Sequence, residues 1–274
     1  MRKLAVSVLL IGIGCASLSQ VHAVELAVQP VTSEIVKVDE STQFKVSAPT
    51  KVAEAELLKE GLVETGVTSS YYNDYDLRYW TVDQAIRNAN REGSHSEHNG
   101  LLIRYMEIRA NELTARNAVS LAEACTKHSA HNRVLQEYVR SAANRITTRE
   151  IIYVSQSATA HDTHNGLLKM FVRSQSYRLT VRDVIRVSAA TSKYSAQDEI
   201  LVLYTRKQVR RFSRYDARKL AQAAHSYSAH DEILDIYRRN NYDYFSRREL
   251  IDLSDFAKGD ELKKQFKKMA LDAQ

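Results

Sequence analysis

The decapeptide SAHDEILDIY at 228–237 recurs in variant form every 33 residues, with no insertion. One column reads Leu102, Leu135, Leu168, Leu201 and Leu234, preceded at once by Leu101, Val134, Leu167, Ile200 and Ile233. Three residues after the leucine stand Tyr105, Tyr138, Phe171, Tyr204 and Tyr237. Apolar positions i, i+1 and i+4 share one face of a helix, here helix A of each unit. Its N-caps are expected at Ser96, Ser129, Asp162, Ser195 and Ser228, with Asn99, Asn132, Asn165, Asp198 and Asp231 three residues on completing a box-like cap.

A second helix, B, follows in each unit. Thr81, Thr114, Thr147, Thr180, Ser213 and Ser246 are its expected caps, and Gln84, Asn117, Glu150, Asp183, Asp216 and Glu249 lie three residues later. An apolar residue precedes each cap (Trp80, Leu113, Ile146, Leu179, Phe212, Phe245), placed to meet Ala85, Ala118, Ile151, Val184, Ala217 or Leu250 as a hydrophobic staple. Small residues at Ala122, Ser155, Ser188, Ala221 and Ser254 allow close helix approach. The pattern predicts hairpins of two helices of about 11–12 residues, each roughly 17 Å long. Neither helix buries its apolar stripe alone, so the expected fold class is all-α: an α-solenoid of about five and a half 33-residue repeats over 69–274. A capping helix is expected at 260–272, with Leu262, Phe266 and Met269 inward. Residues 69–80 show no clear period, so the first helix A is read as degenerate or missing.

These units resemble helical-hairpin solenoids as a class, the one that holds tetratricopeptide, Sel1-like and HEAT repeats. The specific signatures of those families are absent, so the resemblance implies a binding scaffold and no narrower family.

The segment before the repeats differs in kind. Arg2 and Lys3, an apolar run over 4–14 and VHA at 21–23 predict a secretory signal peptide over 1–23. Cys15 after Gly12-Ile13-Gly14 offers the rival reading, a lipid anchor. Residues 24–50 are rich in Val, Thr, Ser and Gln and hold both prolines, and 24–68 as a whole reads as an acidic, largely disordered linker with a short helix over 51–65. No later apolar run is long enough to span a bilayer. The expected location is therefore periplasmic or secreted. Without residues 1–23, Cys125 is left as a single cysteine, which excludes an intramolecular disulfide. Its column otherwise holds Ala and Thr, so a buried structural thiol is expected rather than a catalytic one.

Charge is uneven. Residues 24–76 carry 10 acidic and 4 basic side chains, and residues 77–274 carry 23 acidic and 33 basic. This balance points to an anionic partner for the basic body, or to the acidic leader lying on it. Two arginine columns are candidate binding residues. Arg140, Arg173, Arg206 and Arg239 follow the helix A aromatic by two positions, and Arg116, Arg149, Arg182 and Arg248 sit at the second position of helix B. A cation there opposes the helix dipole, so helix stability does not explain it. It either pairs with a neighbouring acid or awaits an anion. Nucleic acid is not the expected partner of an exported chain. A protein or peptide of the cell envelope is, and an acidic one if these columns form the docking face.

The histidines gather at the turn from B to the next A. One column is His95, His128, His161, then Tyr194 and Tyr227; the other is His98, His131, His164, Gln197 and His230. The H-x-x-H pairs His95/His98, His128/His131 and His161/His164 are candidate metal ligands or a pH-sensitive edge, since imidazole serves both. The competing reading is structural: a stacked aromatic in the first column and a neutral side chain at the second helix position in the other. No Walker, Rossmann, G-x-S-x-G or CxxC motif is present, so no enzyme and no cofactor is expected. An enzyme of unstated type remains the third alternative.

Overall fold

The computed structural model describes residues 72–273. The signal segment 1–23, Cys15, the linker and the helix expected over 51–65 lie outside the described residues. The described part is all-α, with thirteen α-helices and no strand among the described residues. They are α1 (Asp74–Tyr79), α2 (Val82–Ala89), α3 (His95–Arg109), α4 (Ala115–Glu123), α5 (His128–Ala142), α6 (Thr148–Gln156), α7 (His161–Gln175), α8 (Val181–Ala189), α9 (Tyr194–Gln208), α10 (Arg214–Ala223), α11 (Tyr227–Asn240), α12 (Arg247–Phe256) and α13 (Asp260–Asp272). The six-residue α1 and the long helices α3, α5, α7, α9 and α11 pack side by side in chain order, as do the short helices α2, α4, α6, α8 and α10. Helices pack in neighbouring pairs, an arrangement consistent with a helical repeat solenoid.

The apolar columns form the core. Leu102, Leu135, Leu168, Leu201 and Leu234 are shut off from solvent, and so are Ala122, Ser155, Ser188, Ala221 and Ser254 on the short helices, where a larger side chain would force the layers apart. The helix A aromatics pack on the staple residues: Tyr204 against Phe212 at 5.4 Å between ring centroids, and Tyr237 against Phe245 at 5.5 Å. Tyr72 meets Trp80 the same way at 4.8 Å. Tyr72 lies 33 residues before Tyr105, so the aromatic column extends into the region read as aperiodic, while α1 itself aligns with the end of α3 and the turn after it. Asn73 caps α1 through the Asp76 amide, and Leu77 is its buried anchor.

The short helices start where expected. Each of Thr81, Thr114, Thr147, Thr180, Ser213 and Ser246 accepts the N3 amide, and each N3 side chain returns to the cap backbone. The long helices do not. They start two residues earlier, with N-caps at Ser94, Lys127, Ala160, Lys193 and Ser226, of which only the two serines make a side-chain cap bond. Ser96, Ser129, Asp162, Ser195 and Ser228 are therefore first-turn residues, all exposed. The helices are correspondingly unequal. The long ones of 15 residues run about 22 Å and the short ones of nine about 14 Å, in place of two equal partners.

The physical reason lies in the Asn/Asp column. These side chains do not close a cap on their own helix; they cross to the next turn. Asn99 Oδ1 accepts the Thr126 amide at 2.9 Å, Asn132 the Thr159 amide at 3.0 Å, and Asn165 the Ser192 amide at 2.9 Å. Asp198 accepts the His225 and Ser226 amides at 2.6 and 3.0 Å, and Asp231 those of Lys258 and Gly259 at 2.9 and 2.5 Å. These turn amides lie outside any helical ladder, and a side chain from the preceding unit gives each an acceptor.

Replacing Asn165 by Ala removes the acceptor of the Ser192 amide and should lower unfolding free energy by about 0.5–1.5 kcal/mol. Ser129→Ala, at an expected cap that caps nothing, should change it by no more than about 0.5 kcal/mol. Urea unfolding of the two variants checks both.

Candidate functional site

The histidine edge is built into the same turns. His95, His128 and His161 are the first residues of α3, α5 and α7 and are exposed. The second column stands at the fourth helical position, not the second, because the helices begin earlier. There the rings reach the end of the next short helix. Nε2 of His98 donates to Ala124 O at 2.8 Å, His131 to Ser157 O at 2.7 Å, and His164 to Ala190 O at 2.7 Å. Gln197 Nε2 makes the equivalent bond to Ala223 O at 2.8 Å. Glutamine replaces histidine because the position needs a donor at that reach. His164 also places Nδ1 2.7 Å from Ser155 O, and a carbonyl only accepts, so each contact needs an N–H on that nitrogen. In the first column, Tyr194 stacks flat on His225 at 3.7 Å. No group of three or more His, Cys, Asp or Glu side chains poised to hold a metal is present among the described residues.

His230 departs from its column. Its Nδ1 lies 2.9 Å from Asp231 Oδ1, and its Nε2 is buried without a partner. Burial works against the Asp231 charge. The Lys258 amide, the His230 ring and the Gly259 amide outweigh it and hold the carboxyl below its ordinary range.

The two arginine columns part company. In the first, Arg140 pairs with Glu137 at 2.6 Å, Arg206 with Glu232 on the next long helix, and Arg239 with Asp235 at 2.5 Å. Arg173 has no carboxylate partner among the described residues. Asp74–Arg104, Glu107–Arg133 and Lys169–Glu199 add further pairs between successive long helices. The long-helix face is thus largely neutralised from within.

In the second column Arg116, Arg149, Arg182 and Arg248 are exposed at the second position of α4, α6, α8 and α12, and none meets a carboxylate among the described residues. The neighbouring acids are already engaged. Glu150 Oε2 accepts the Thr147 amide at 2.8 Å and its hydroxyl at 2.8 Å. Asp183, Asp216 and Glu249 do the same for Thr180, Ser213 and Ser246. Those bonds hold Glu249 below its ordinary range. Tyr215 occupies the arginine position of α10, with the Lys219 ammonium 4.4 Å from its ring centre. Exposed Tyr153 and Arg186 lie one turn further along α6 and α8. The short-helix face therefore carries free cations and aromatics from α4 to α12, with exposed Asp83 at the column position of α2 and one ion pair, Arg214–Asp252 at 3.0 Å, between α10 and α12.

A third arginine column escaped the sequence reading. Arg145 Nη2 donates to Ala110 O and Leu113 O at 2.6 Å each, Arg178 to Asn144 O, and Arg211 to Tyr177 O at 2.8 Å. They clasp the A-to-B turns as the Asn and His columns clasp the others. Their 33-residue spacing was the available signal. Cys125 is partly buried, with Sγ 3.5 Å from Leu121 O, and burial pushes its thiol up to about 12. No helix among the described residues is long and apolar enough to cross a membrane. Comparison with protein-family models, curated proteins and solved structures finds no match for this chain.

A carboxyl held low in the folded chain contributes stability that is present above its ordinary value of 3.8 and is lost as pH falls through the folded value. Asp231→Asn should therefore lower stability at pH 7 and flatten the acid limb of the stability–pH curve. Urea midpoints between pH 7 and 3 read both effects.

Proposed function

We propose that this chain is an exported, non-catalytic binding scaffold: an α-solenoid of about five and a half 33-residue hairpins, periplasmic or secreted. Its short-helix face docks an acidic protein or peptide of the cell envelope. The observation that carries the reading is the set Arg116, Arg149, Arg182 and Arg248, exposed in one column without carboxylate partners among the described residues; the acids beside the last three serve the caps, and Asn117 beside Arg116 carries no charge. Cations at helix N-termini gain nothing from the dipole, and anions do, so a carboxylate arriving there meets guanidinium and helix end together. Tyr153 and Tyr215 add apolar area beside the charges, as interface centres do. The Arg140 column contributes less, since three of its four members are already paired.

The test compares two quadruple alanine variants for binding to a fluorescent glutamate-rich peptide and for partners retained from the envelope fraction. Loss of Arg116, Arg149, Arg182 and Arg248 should weaken peptide binding at least about tenfold, with a reduced salt dependence. Loss of Arg140, Arg173, Arg206 and Arg239 should change it by less than about threefold. Equal affinity of the first variant and the parent rejects this surface.

A further inference from the structure

The histidine column breaks at one place, and a cleft lies there. A recess of about 190 Å³ at the turn between α10 and α11 is lined by Gln222, Ser226, Tyr227, His230, Phe256 and Lys258, with Ala224 and His225 beside them. In the column of Ala124, Ser157, Ala190 and Ala223, Phe256 replaces a small residue. Its ring stands 5.0 Å from that of His230, and the Arg218 guanidinium lies 4.5 Å from its centre on the short helix α10. Beside this ring His230 turns to Asp231, where Nδ1–H donates to the carboxylate. The carboxylate is itself pinned by the Lys258 and Gly259 amides, so the imidazole is held in one orientation.

Nε2 is left shut off from solvent and without a partner. The scaffold does not require that state, because Gln197 shows a side chain in the same column satisfying the next turn. His230 is among the residues that line the recess, and a shift in the wall over its covered nitrogen presents a polar group that no protein atom satisfies. Around it the lining offers an ammonium, a hydroxyl, a phenol, an amide and a second imidazole, and no carboxylate.

We propose that this cleft binds a small oxyacid, a carboxylic acid or a phosphate, whose acid group shares one proton with His230 Nε2 and whose charge faces Lys258. The hydrogen bond forms with either distribution of the proton: the neutral ring accepts an O–H, and the protonated ring donates to an oxyanion. The volume is below the roughly 300–1,000 Å³ of a drug-sized site, so the ligand is small. Lys258 and Tyr227 are exposed and free to turn as it enters. The site is independent of the short-helix arginines.

The experiment follows the ring nitrogens of His230 by long-range ¹H–¹⁵N correlation in the purified chain. Malonate and inorganic phosphate are titrated in separate arms at constant ionic strength. A saturable shift of His230 Nε2 with either probe is expected, and the responding probe assigns the carboxylate or the phosphate source. Lys258→Ala should weaken that probe at least about tenfold. His230→Gln, which copies Gln197 and should keep the parent Tm within a few degrees, should abolish saturable binding measured by calorimetry. Two results overturn the proposal: no saturable shift with either probe, or undiminished calorimetric binding to His230→Gln.

Discussion

A hydrogen bond from one helical turn to the backbone of the next is what the remaining structure depends on. Where the chain passes from one helix to the next, amides and carbonyls lie outside any helical ladder and need partners from elsewhere. Here each unit supplies its neighbour. Asn or Asp accepts the amides of the following turn, and His or Gln donates to the last carbonyls of the following short helix. Arg145, Arg178 and Arg211 do the corresponding work at the opposite turns. Leucine and tyrosine columns provide the apolar drive, but they are tolerant of sliding. The polar bonds span fixed separations and set the register.

The same economy of polar groups decides which surface is open to a partner. Along the long helices, acids and bases of successive units face each other and neutralise one another. Along the short helices, Glu150, Asp183 and Glu249 fold back on their own caps, so Arg149, Arg182 and Arg248 beside them keep their charge for something else, while Arg214 pairs with Asp252. The capping box is thus a stability device with an electrostatic by-product. Exposed ion pairs contribute little to stability, so the contrast between the faces matters for recognition more than for folding.

The last unit departs from the rule in a way that isolates one side chain. Phe256 stands in a column of small residues, His230 turns to Asp231, and its second nitrogen loses the carbonyl that its counterparts reach. Asp231 meanwhile keeps its role for the Lys258 and Gly259 amides. The structural half of the pattern persists while the other half is released.

By itself the sequence determined the repeat, the helix type, the core columns and every short-helix cap, because these are local: an apolar stripe and a cap need only residues within one or two turns. The cysteine was also legible as a buried thiol from the small residues in its column. The tertiary structure decided what lies 26 to 35 residues apart. The Asn/Asp column looked like caps because a residue three places after a serine often is one. Its real partner is in the next unit, and for that reason the long helices start two residues earlier and run longer than their partners. The H-x-x-H spacing left the histidines open between ligands, a pH-sensitive edge and turn packing. Their reach is set by a neighbouring helix end whose carbonyl no linear reading places. The sequence marked the short-helix arginines as opposing the helix dipole but left both arginine columns as candidates; packing separated them, since pairing depends on which acid the fold brings alongside and whether that acid is already in use.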